Sequence, residues 1–273
     1  MLKLSKKQIN QKLIPHLSKG KRGPKCKVGL WRIVKAILYR LKTGVQWREL
    51  PLRQFFGRQL ISWNTVFYYF AKWSKDGSWY YLWTALLELN KFILDMSSTQ
   101  LDGSHTPAKR GGQAVGYQGR KKCKTTNIIF LTDKKGIPLA CSIPVSGNHN
   151  DLFEYKKMMS EIIATLADSK IEIDGLFMNA DAGFDSKGFR EFCENFGIIP
   201  NFDINKRNSK NPDQHDYYFD NQLYQERFAV ERTNAWLDGF KNLIIRYETN
   251  ALHWIGLHYL AFSSILLRKL FKQ

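Results

Sequence analysis

Apolar side chains recur at helical spacing in the first third of the chain. Between residues 28 and 42, one stripe holds Leu30, Ile33, Val34, Ile37, Leu38 and Leu41, and the cations Arg32, Lys35, Arg40 and Lys42 fall mostly outside it. This pattern predicts a helix that ends at Thr43-Gly44, since glycine accepts the left-handed conformation of a helix end. Ser62 is a predicted N-cap for a second helix, Trp63 to Lys75. The apolar run from Trp79 to Leu94 predicts a third.

The region around these helices leaves two interpretations open. Residues 1–27 are basic and contain Lys-Gly-Lys-Arg-Gly-Pro-Lys at 19–25, which indicates a flexible, positively charged arm. Two helices and a glycine turn in a basic region are typical of a helix-turn-helix DNA-binding domain. They equally describe an ordinary small helical bundle, and the pattern alone does not choose between them.

From residue 99 onward the pattern changes to short apolar runs with turns between them. The predicted strands are Thr99–Asp102, Asn127–Leu131, Ile137–Val145, Gly175–Ala180 and Ile198–Phe202, and the predicted helices are Asp151–Leu166 and Ser186–Asn195. Asp133-Lys-Lys-Gly136 is a hairpin turn signal. Three antiparallel strands followed by strands added in parallel through helices is the order of a ribonuclease-H-like fold. The predicted fold class is therefore α/β, with a mixed sheet preceded by a small all-α, helix-turn-helix-like domain.

The segment from Tyr224 to Lys241 is predicted to be one continuous helix. Tyr224, Arg227 and Glu231 stand at i, i+3 and i+7, so an α-helix places them on one face. Taken alone, Glu231 is ordinarily a solvated carboxylate or an ion-pair partner of Arg227.

Charge separates the chain into two parts. The net charge is +18, and residues 1–75 hold 18 basic residues and one acid, Glu49. The expected domains are a basic helical DNA-binding domain at 1–95 and a catalytic domain at 96–273. Most of the tryptophans in the basic region, Trp31, Trp47, Trp63 and Trp73, are expected in the core rather than stacked on bases.

Other features bear on the cellular compartment. The four cysteines form no Cys-x-x-Cys pair, which favours reduced thiols in the cytoplasm over zinc or disulfides. The basic N-terminus has no apolar run of a secretory signal behind it. Residues 249–267 carry no formal charge, but polar residues interrupt them, so a buried core helix is expected and not a membrane span.

Three acids suggest the chemistry. In a ribonuclease-H-like sheet the first and fourth strands are neighbours, so Asp102 and Asp181 at their ends would converge, and the following helix can bring Glu231 to them. Three carboxylates in one place require cations, and hard oxygen ligands select two Mg²⁺ or Mn²⁺ ions. Such a pair supports in-line phosphoryl transfer on nucleic acid. Each aspartate taken singly is better explained as part of an ordinary turn at a strand end. The three acids together, in this order along the fold, favour a catalytic site instead.

The motifs around these acids resemble those of one family. They are Leu-Asp-Gly-Ser-His-Thr-Pro (101–107), Asn-Ala-Asp-Ala-Gly-Phe-Asp-Ser (179–186) and Phe-Ala-Val-Glu-Arg-Thr-Asn-Ala-Trp-Leu (228–237), with Ser-Gly-Asn-His-Asn-Asp (146–151) between the first two. Together with residues 43–51 and 63–73 upstream, they are similar to DDE transposases of bacterial insertion sequences, of the insertion-sequence-5 type. The resemblance covers nearly the whole chain.

The resemblance implies a site and its partners. Asp102, Asp181 and Glu231 would form the metal-binding catalytic triad, and Tyr224 and Arg227 match the family's stacking or phosphate-contacting residues. Asp238 stands where the family has a lysine. Lys241 is therefore assigned the phosphate contact only as a substitute, and an ordinary solvated lysine at a helix end is an equally good interpretation of Lys241. The implied partner is double-stranded DNA, as element terminal inverted repeats and target, bound in a synaptic homodimer or larger assembly.

The implied setting is the bacterial cytoplasm, at the nucleoid and away from membranes. Two alternatives remain open: a nuclease or resolvase that hydrolyses DNA with the same acids, and a DNA-binding regulator derived from a transposase that has lost catalysis.

Overall fold

The computed structural model describes residues 4–20, 26–58, 61–206 and 217–271. Within these parts the chain forms two compact units. The first unit comprises 1–86, 109–113 and 237–273, and the second unit comprises 87–108 and 114–236. The chain passes from the first unit to the second at residue 86, near the predicted domain boundary at 95. The last 37 residues, however, belong to the unit of the N-terminal helices and not to that of the sheet.

The first unit is helical in its described parts. Its helices are α1 (Lys6–Lys12), α2 (Leu30–Thr43), α3 (Leu52–Phe56), α4 (Trp63–Lys75), α5 (Ser78–Leu89, which runs on into the second unit), α10 (Lys241–Ile244) and α11 (Ala251–Leu270). The predicted signals at two helix ends are confirmed. Gly44 ends α2 with φ +70°, and Ser62 caps α4 by accepting from the Thr65 N–H at 3.4 Å. Residues 44–62, including α3 and a 3₁₀ turn at Trp47–Glu49, separate α2 from α4.

Three expectations for the basic region are wrong in part. The predicted arm contains α1, whose first turn is closed by a reciprocal capping box between Ser5 and Gln8; residues 21–25 lie outside the described residues. Arg40 is buried, 5% exposed, because it pairs with the buried Glu248. Of the four tryptophans only Trp73 is fully buried, and the other three are half-buried with cations over their rings.

The second unit is built on one mixed sheet. Its strands are β1 (Thr99–Pro107), β2 (Gly116–Gln118), β3 (Cys123–Asp133), β4 (Pro138–Cys141), β5 (Val145–Ser146), β6 (Phe177–Ala180) and β7 (Ile199–Phe202). β3 pairs antiparallel with β1 and also with β2, β4 and β5, while β6 and then β7 extend the sheet in parallel from β1. Antiparallel strands followed by parallel additions make this a ribonuclease-H-like α/β fold, as predicted.

Helices α6 (Tyr155–Asp168), α7 (Lys187–Asn195), α8 (Asn221–Tyr224) and α9 (Ala229–Asp238) complete this part of the chain. The segment predicted as one helix from Tyr224 to Lys241 is divided: a 3₁₀ stretch at Gln225–Phe228 joins α8 to α9, and Lys241 begins α10 after a break at Gly239-Phe240. The first strand is longer than predicted, because its pairing with β3 continues from Gly103 to Pro107.

The uncharged segment near the C-terminus is the core of the first unit, as predicted. α11 packs against α2 and α4, and 13 of its 20 residues are buried. His258 is among them, and its Nδ1 lies 2.9 Å from the carbonyl oxygen of Trp254 one turn earlier. Among the described residues, no helix combines the length and apolar character that a membrane span requires.

Candidate active site

Asp102 and Asp181 are neighbours across two paired strands. The parallel pairing of β1 with β6 ends with Leu101 opposite Ala180, and the two aspartates follow directly. The prediction that the strands before Asp102 and Asp181, here β1 and β6, are neighbours is therefore confirmed. The prediction that Asp102 stands at a strand end is wrong, since β1 continues beyond it to Pro107.

The surroundings of Asp102 disfavour its charge. Burial, followed by the negative charges of Asp181 and Asp151, raises the pKa of Asp102 to about 6. Hydrogen bonds from the Gly103 N–H at 2.9 Å and from the side chain of Asn234 act in the opposite direction. A half-buried carboxylate that lies near other acids is typical of cation sites and of catalytic acids.

Asp181 is exposed and has a local structural role as well. Its Oδ1 accepts a hydrogen bond from the Gly183 N–H at 2.9 Å and caps a 3₁₀ turn at Ala182–Phe184. The strand-end turn and the acid pair are therefore both present, and the turn holds the carboxylate beside β1.

A further acid, Asp151, lies close to Asp102 and was not among the predicted site residues. Asn127 of β3 donates to Asp151 Oδ1 at 2.6 Å, and His105 Nε2 lies 3.8 Å from the same atom. A Cβ on Gly103 would stand 2.3 Å from that oxygen, so the glycine makes room for the carboxylate. The sequence signals were the glycine directly after Asp102 and the acid that closes the 146–151 motif.

A ladder of buried amides lies two residues before the acids in β1 and β6. Gln100, Asn179 and Asn201 occupy the same register on β1, β6 and β7, and all three are fully buried. Asn179 Nδ2 donates to Gln100 Oε1 at 2.9 Å, and Asn201 Nδ2 donates to Asn179 Oδ1 at 2.7 Å. We refer to these three side chains as the amide ladder.

The amide ladder fastens the segment around α8 to the sheet. Asn179 Nδ2 also donates to the carbonyl oxygen of Leu223 at 3.0 Å. Asn201 exchanges two hydrogen bonds with the backbone of Asp220, at 2.8 and 2.9 Å. The segment that precedes Glu231 is thereby fixed against the strands that lead to Asp102 and Asp181. Sequence patterns missed the ladder, because isolated amides in apolar strands carry no periodic signal.

Tyr224 and Arg227 lie together at the start of this segment. The Arg227 guanidinium carbon is 5.2 Å from the centre of the Tyr224 ring and 4.5 Å from that of Phe228. Burial raises the pKa of Tyr224; the Arg227 charge lowers it, and the charges of Asp203 and Asp181 raise it further. The structure therefore brings Tyr224 and Arg227 together and sets Tyr224 within electrostatic reach of Asp181.

Glu231 is exposed on the first turn of α9. Asn234, three residues later and on the same side of the helix, makes the hydrogen bond to Asp102. α9 is thus held against β1 through Asn234. Asp238 is the last residue of α9, and Lys241 begins α10 in the first unit, where its backbone and Cβ face Gly44.

The donor set fits Mg²⁺ or Mn²⁺ in its chemistry. The groups whose charges act on Asp102 are carboxylates, and hard oxygen donors select these ions over zinc. Among the described residues, no group of three or more His, Cys, Asp and Glu side chains is close enough together to hold a metal ion. Asp102 and Asp181 are therefore the nucleus of the candidate site, and Glu231 as its third ligand stays a prediction.

Comparison with known proteins gives the family. The family model described as "Transposase DDE domain" matches residues 89–266, and the model "Putative transposase of IS4/5 family (DUF4096)" matches residues 8–83. The first match alone covers more than half of the sequence. The chain belongs to the DDE transposase family, and its N-terminal part is of the IS4/5 type, as the motifs indicated.

One curated relative and one solved structure are similar over parts of their lengths. The "Putative transposase for insertion sequence element IS402" of Burkholderia cepacia is 32% identical over 124 residues, which are 45% of this chain and 53% of that protein. The match therefore spans about half the length of the relative. The Mos1 transposase paired-end complex aligns over 92% of this chain and 81% of its own, with 10% identity and a TM-score of 0.30. That value is too low to support an argument about function.

Proposed function

We propose that this protein is an insertion-sequence transposase that binds the ends of its element, cleaves the DNA there and joins the ends to a target. The juxtaposition of Asp102 and Asp181 on paired strands of a DDE transposase domain supports this proposal. The natural partner is double-stranded DNA in the bacterial cytoplasm, at the nucleoid, with the element ends paired in a homodimer or larger assembly.

Each residue of the site then has a separate task. Asp102, Asp181 and Glu231 would hold two Mg²⁺ or Mn²⁺ ions, which supply Lewis-acid activation of the phosphodiester. Since the pKa of Asp102 is raised to about 6, a minority of molecules carry its proton at neutral pH, and a cation held by the acid pair would favour the ionised form. Tyr224 and Arg227 would contact the base and phosphate at the cleaved end, and Lys241 a more distant phosphate.

The test of this proposal is strand transfer of pre-cleaved element ends into a supercoiled plasmid. The intact chain should give joined products in Mg²⁺, and the Asp181→Asn and Glu231→Gln variants should give neither cleavage nor joining. Asp174→Asn, an exposed acid elsewhere in the second unit, is the matched control and should keep both. Hydrolysis without joined product would mean a nuclease or resolvase, and cleavage by Asp181→Asn would show that the triad is misassigned.

DNA affinity should come mainly from the cations of residues 1–75. Lys6, Arg32 and Lys35 surround the half-buried Trp31 ring at 5.2–5.7 Å, which forms a positive surface on α1 and α2. The logarithm of affinity should therefore fall steeply with the logarithm of salt concentration, by about 0.9 per neutralised phosphate.

Truncation of these helices would uncover α11, so charge neutralisation is the better test. Lys6→Gln with Lys35→Gln should reduce the salt slope by roughly one to two. Lys156→Gln with Lys157→Gln on α6 removes the same charge from the second unit and should leave the slope nearly unchanged. An equal effect of both pairs would place the DNA contact elsewhere.

A further inference from the structure

The first unit contains a cavity of about 640 Å³ that none of the predicted site residues lines. Its walls come from the end of α2, the 3₁₀ turn Trp47–Glu49, the start of α4, the stretch from α10 to the start of α11, and Arg110. We call it the Arg40 cavity and define it by Arg40, Trp47, Arg48, Trp63, Asn242 and Glu248. Its volume is within the range of small-ligand sites, roughly 300–1,000 Å³.

Several buried polar atoms beside the Arg40 cavity have no hydrogen-bond partner among the described residues. Arg40, Asn242 and Glu248 are 5%, 3% and 9% exposed. One guanidinium nitrogen of Arg40 bonds to Glu248 Oε1 at 2.8 Å. Within the described part of the chain, Arg40 Nε and Nη1, Glu248 Oε2 and Asn242 Nδ2 have no hydrogen-bond partner. Native folds rarely leave such groups unsatisfied, so several beside one cavity indicate a polar partner there, either ordered water or a ligand.

Flat aromatic surfaces and guanidinium groups alternate around the same space. The Arg40 guanidinium carbon is 4.1 Å from the Trp47 ring centre, and that of Arg48 is 5.4 Å from the Trp63 ring centre. Neither tryptophan is fully buried, so each can present ring surface to a ligand. Aromatic rings of this kind stack on nucleic-acid bases with little dependence on base identity.

The charge of the cavity selects an anion. Three arginines line it, Arg40, Arg48 and Arg110, against a single carboxylate, Glu248, which is already paired with Arg40. Arg48 and Arg110 are exposed at the rim, where guanidinium groups can bind phosphate in a bidentate manner. Asn242 and Glu248 line the interior, and an amide beside a carboxylate matches the mixed donor and acceptor edge of a nucleobase.

We propose that the Arg40 cavity binds a single nucleotide, with the base among Trp47, Asn242 and Glu248 and the phosphate at Arg48 and Arg110. The nucleotide can come from two sources, an unpaired position in DNA or the free pool, and the chemistry recognised is the same. The site lies in the first unit and does not depend on the roles of Asp102, Asp181 or Glu231.

The experiment measures binding of the full chain in EDTA, where cleavage does not interfere. The probes are a deoxynucleoside monophosphate, the matching nucleoside, inorganic phosphate, and two duplexes of equal length, one fully paired and one with a single unpaired nucleotide. We expect the duplex with the unpaired nucleotide to bind about tenfold more tightly, as stacking of one base allows. The monophosphate should bind more tightly than the nucleoside or phosphate alone.

Three variants locate the effect. Asn242→Leu, which keeps the volume of the side chain, should abolish the preference for the unpaired nucleotide. Arg48 is exposed, so Arg48→Gln should leave folding unaffected. This variant should bind the monophosphate more weakly and the nucleoside as tightly as before. Trp31→Leu is the matched control, because Trp31 is also half-buried with cations over its ring but lies outside the cavity; it should weaken both duplexes equally.

The outcomes separate the sources and can overturn the proposal. Competition between the monophosphate and the unpaired duplex identifies an unpaired DNA nucleotide as the occupant, and monophosphate binding without competition identifies the free pool. No preference for the unpaired duplex together with no monophosphate binding would overturn the proposal, as would phosphate binding as tight as that of the monophosphate. Because no cleavage is measured, neither result bears on strand transfer.

Discussion

Replacement of Asn179 by leucine should release the segment around α8 from the sheet. The change keeps the side-chain volume but removes three hydrogen bonds of the amide ladder: to Gln100 at 2.9 Å, to the Leu223 carbonyl at 3.0 Å and from Asn201 at 2.7 Å. Each contributes about 1 kcal/mol, and the acceptors on Gln100, which is buried, and Leu223, which is partly exposed, lose this donor. We expect a loss of about 3 kcal/mol, a large fraction of the 5–15 kcal/mol typical of a folded domain.

Hydrogen exchange is the assay that separates a local from a general effect. If the ladder fastens the segment, amides of residues 217–228 should exchange roughly a hundredfold faster, since 1.4 kcal/mol corresponds to a factor of ten. The urea midpoint should fall with little change in slope. Asn195→Leu, at an exposed position on α7, is the matched control and should shift stability by less than about 0.5 kcal/mol.

The effect on function distinguishes positioning from stability alone. DNA cleavage by Asn179→Leu should fall at temperatures where the protein is still fully folded, because Tyr224, Arg227 and Glu231 follow the released segment. This prediction is refuted if Asn179→Leu loses global stability but its residues 217–228 still exchange hydrogen at the wild-type rate. The ladder would then stabilise the sheet without holding the segment around α8.

Three other changes test particular contacts. Asp102→Asn should stabilise the cation-free protein by about 2–3 kcal/mol at pH 7 but not at pH 4. The pKa of Asp102 is raised to about 6 from an ordinary 3.8, so the stability of the wild-type protein falls as the pH rises through that interval. Equal effects of the substitution in urea unfolding at both pH values would contradict this prediction. Gly103→Ala should cost about 1–3 kcal/mol, since its Cβ would stand 2.3 Å from Asp151 Oδ1, whereas Gly119→Ala, with open space around it, should be nearly neutral in thermal unfolding. Burial lowers the pKa of His258 to about 4, so its stabilising contribution is present above the ordinary value of 6.5 and is lost towards pH 4; His258→Leu should flatten acid unfolding over this range, and an unchanged profile would exclude the histidine as its source.

Much of the fold could be predicted because it rests on periodic signals. α4 has the bounds that its apolar spacing and Ser62 indicated, and the adjacency of Asp102 and Asp181 followed from the order of strands. The division of the segment after Tyr224 into α8, a 3₁₀ stretch and α9 had no such signal. Its cause is tertiary, since the amide ladder holds residues 220–223 by backbone contacts that no local spacing reveals.

Side-chain roles were harder to predict than element positions. Arg40 was placed outside the apolar stripe because it is charged, but its partner Glu248 lies 208 residues away, and the pair is buried. Asp151 and Asn234 reach Asp102 from other elements in the same way. A residue's partner in space is invisible to a pattern read along one segment, so the acids could be named from the motifs while the groups around them could not.

The composition of the first unit has a consequence for synthesis in the cell. α2 and α4 are made early, but α11, on which they pack, is made about 180 residues after α4 ends. At translation rates of about 5–20 residues per second, their apolar faces stay uncovered for roughly 10–40 s, during which the intervening second unit can fold. The basic helices therefore obtain their packing partner only after the second unit has been made, and nascent chains on the ribosome should depend on chaperones until α11 emerges.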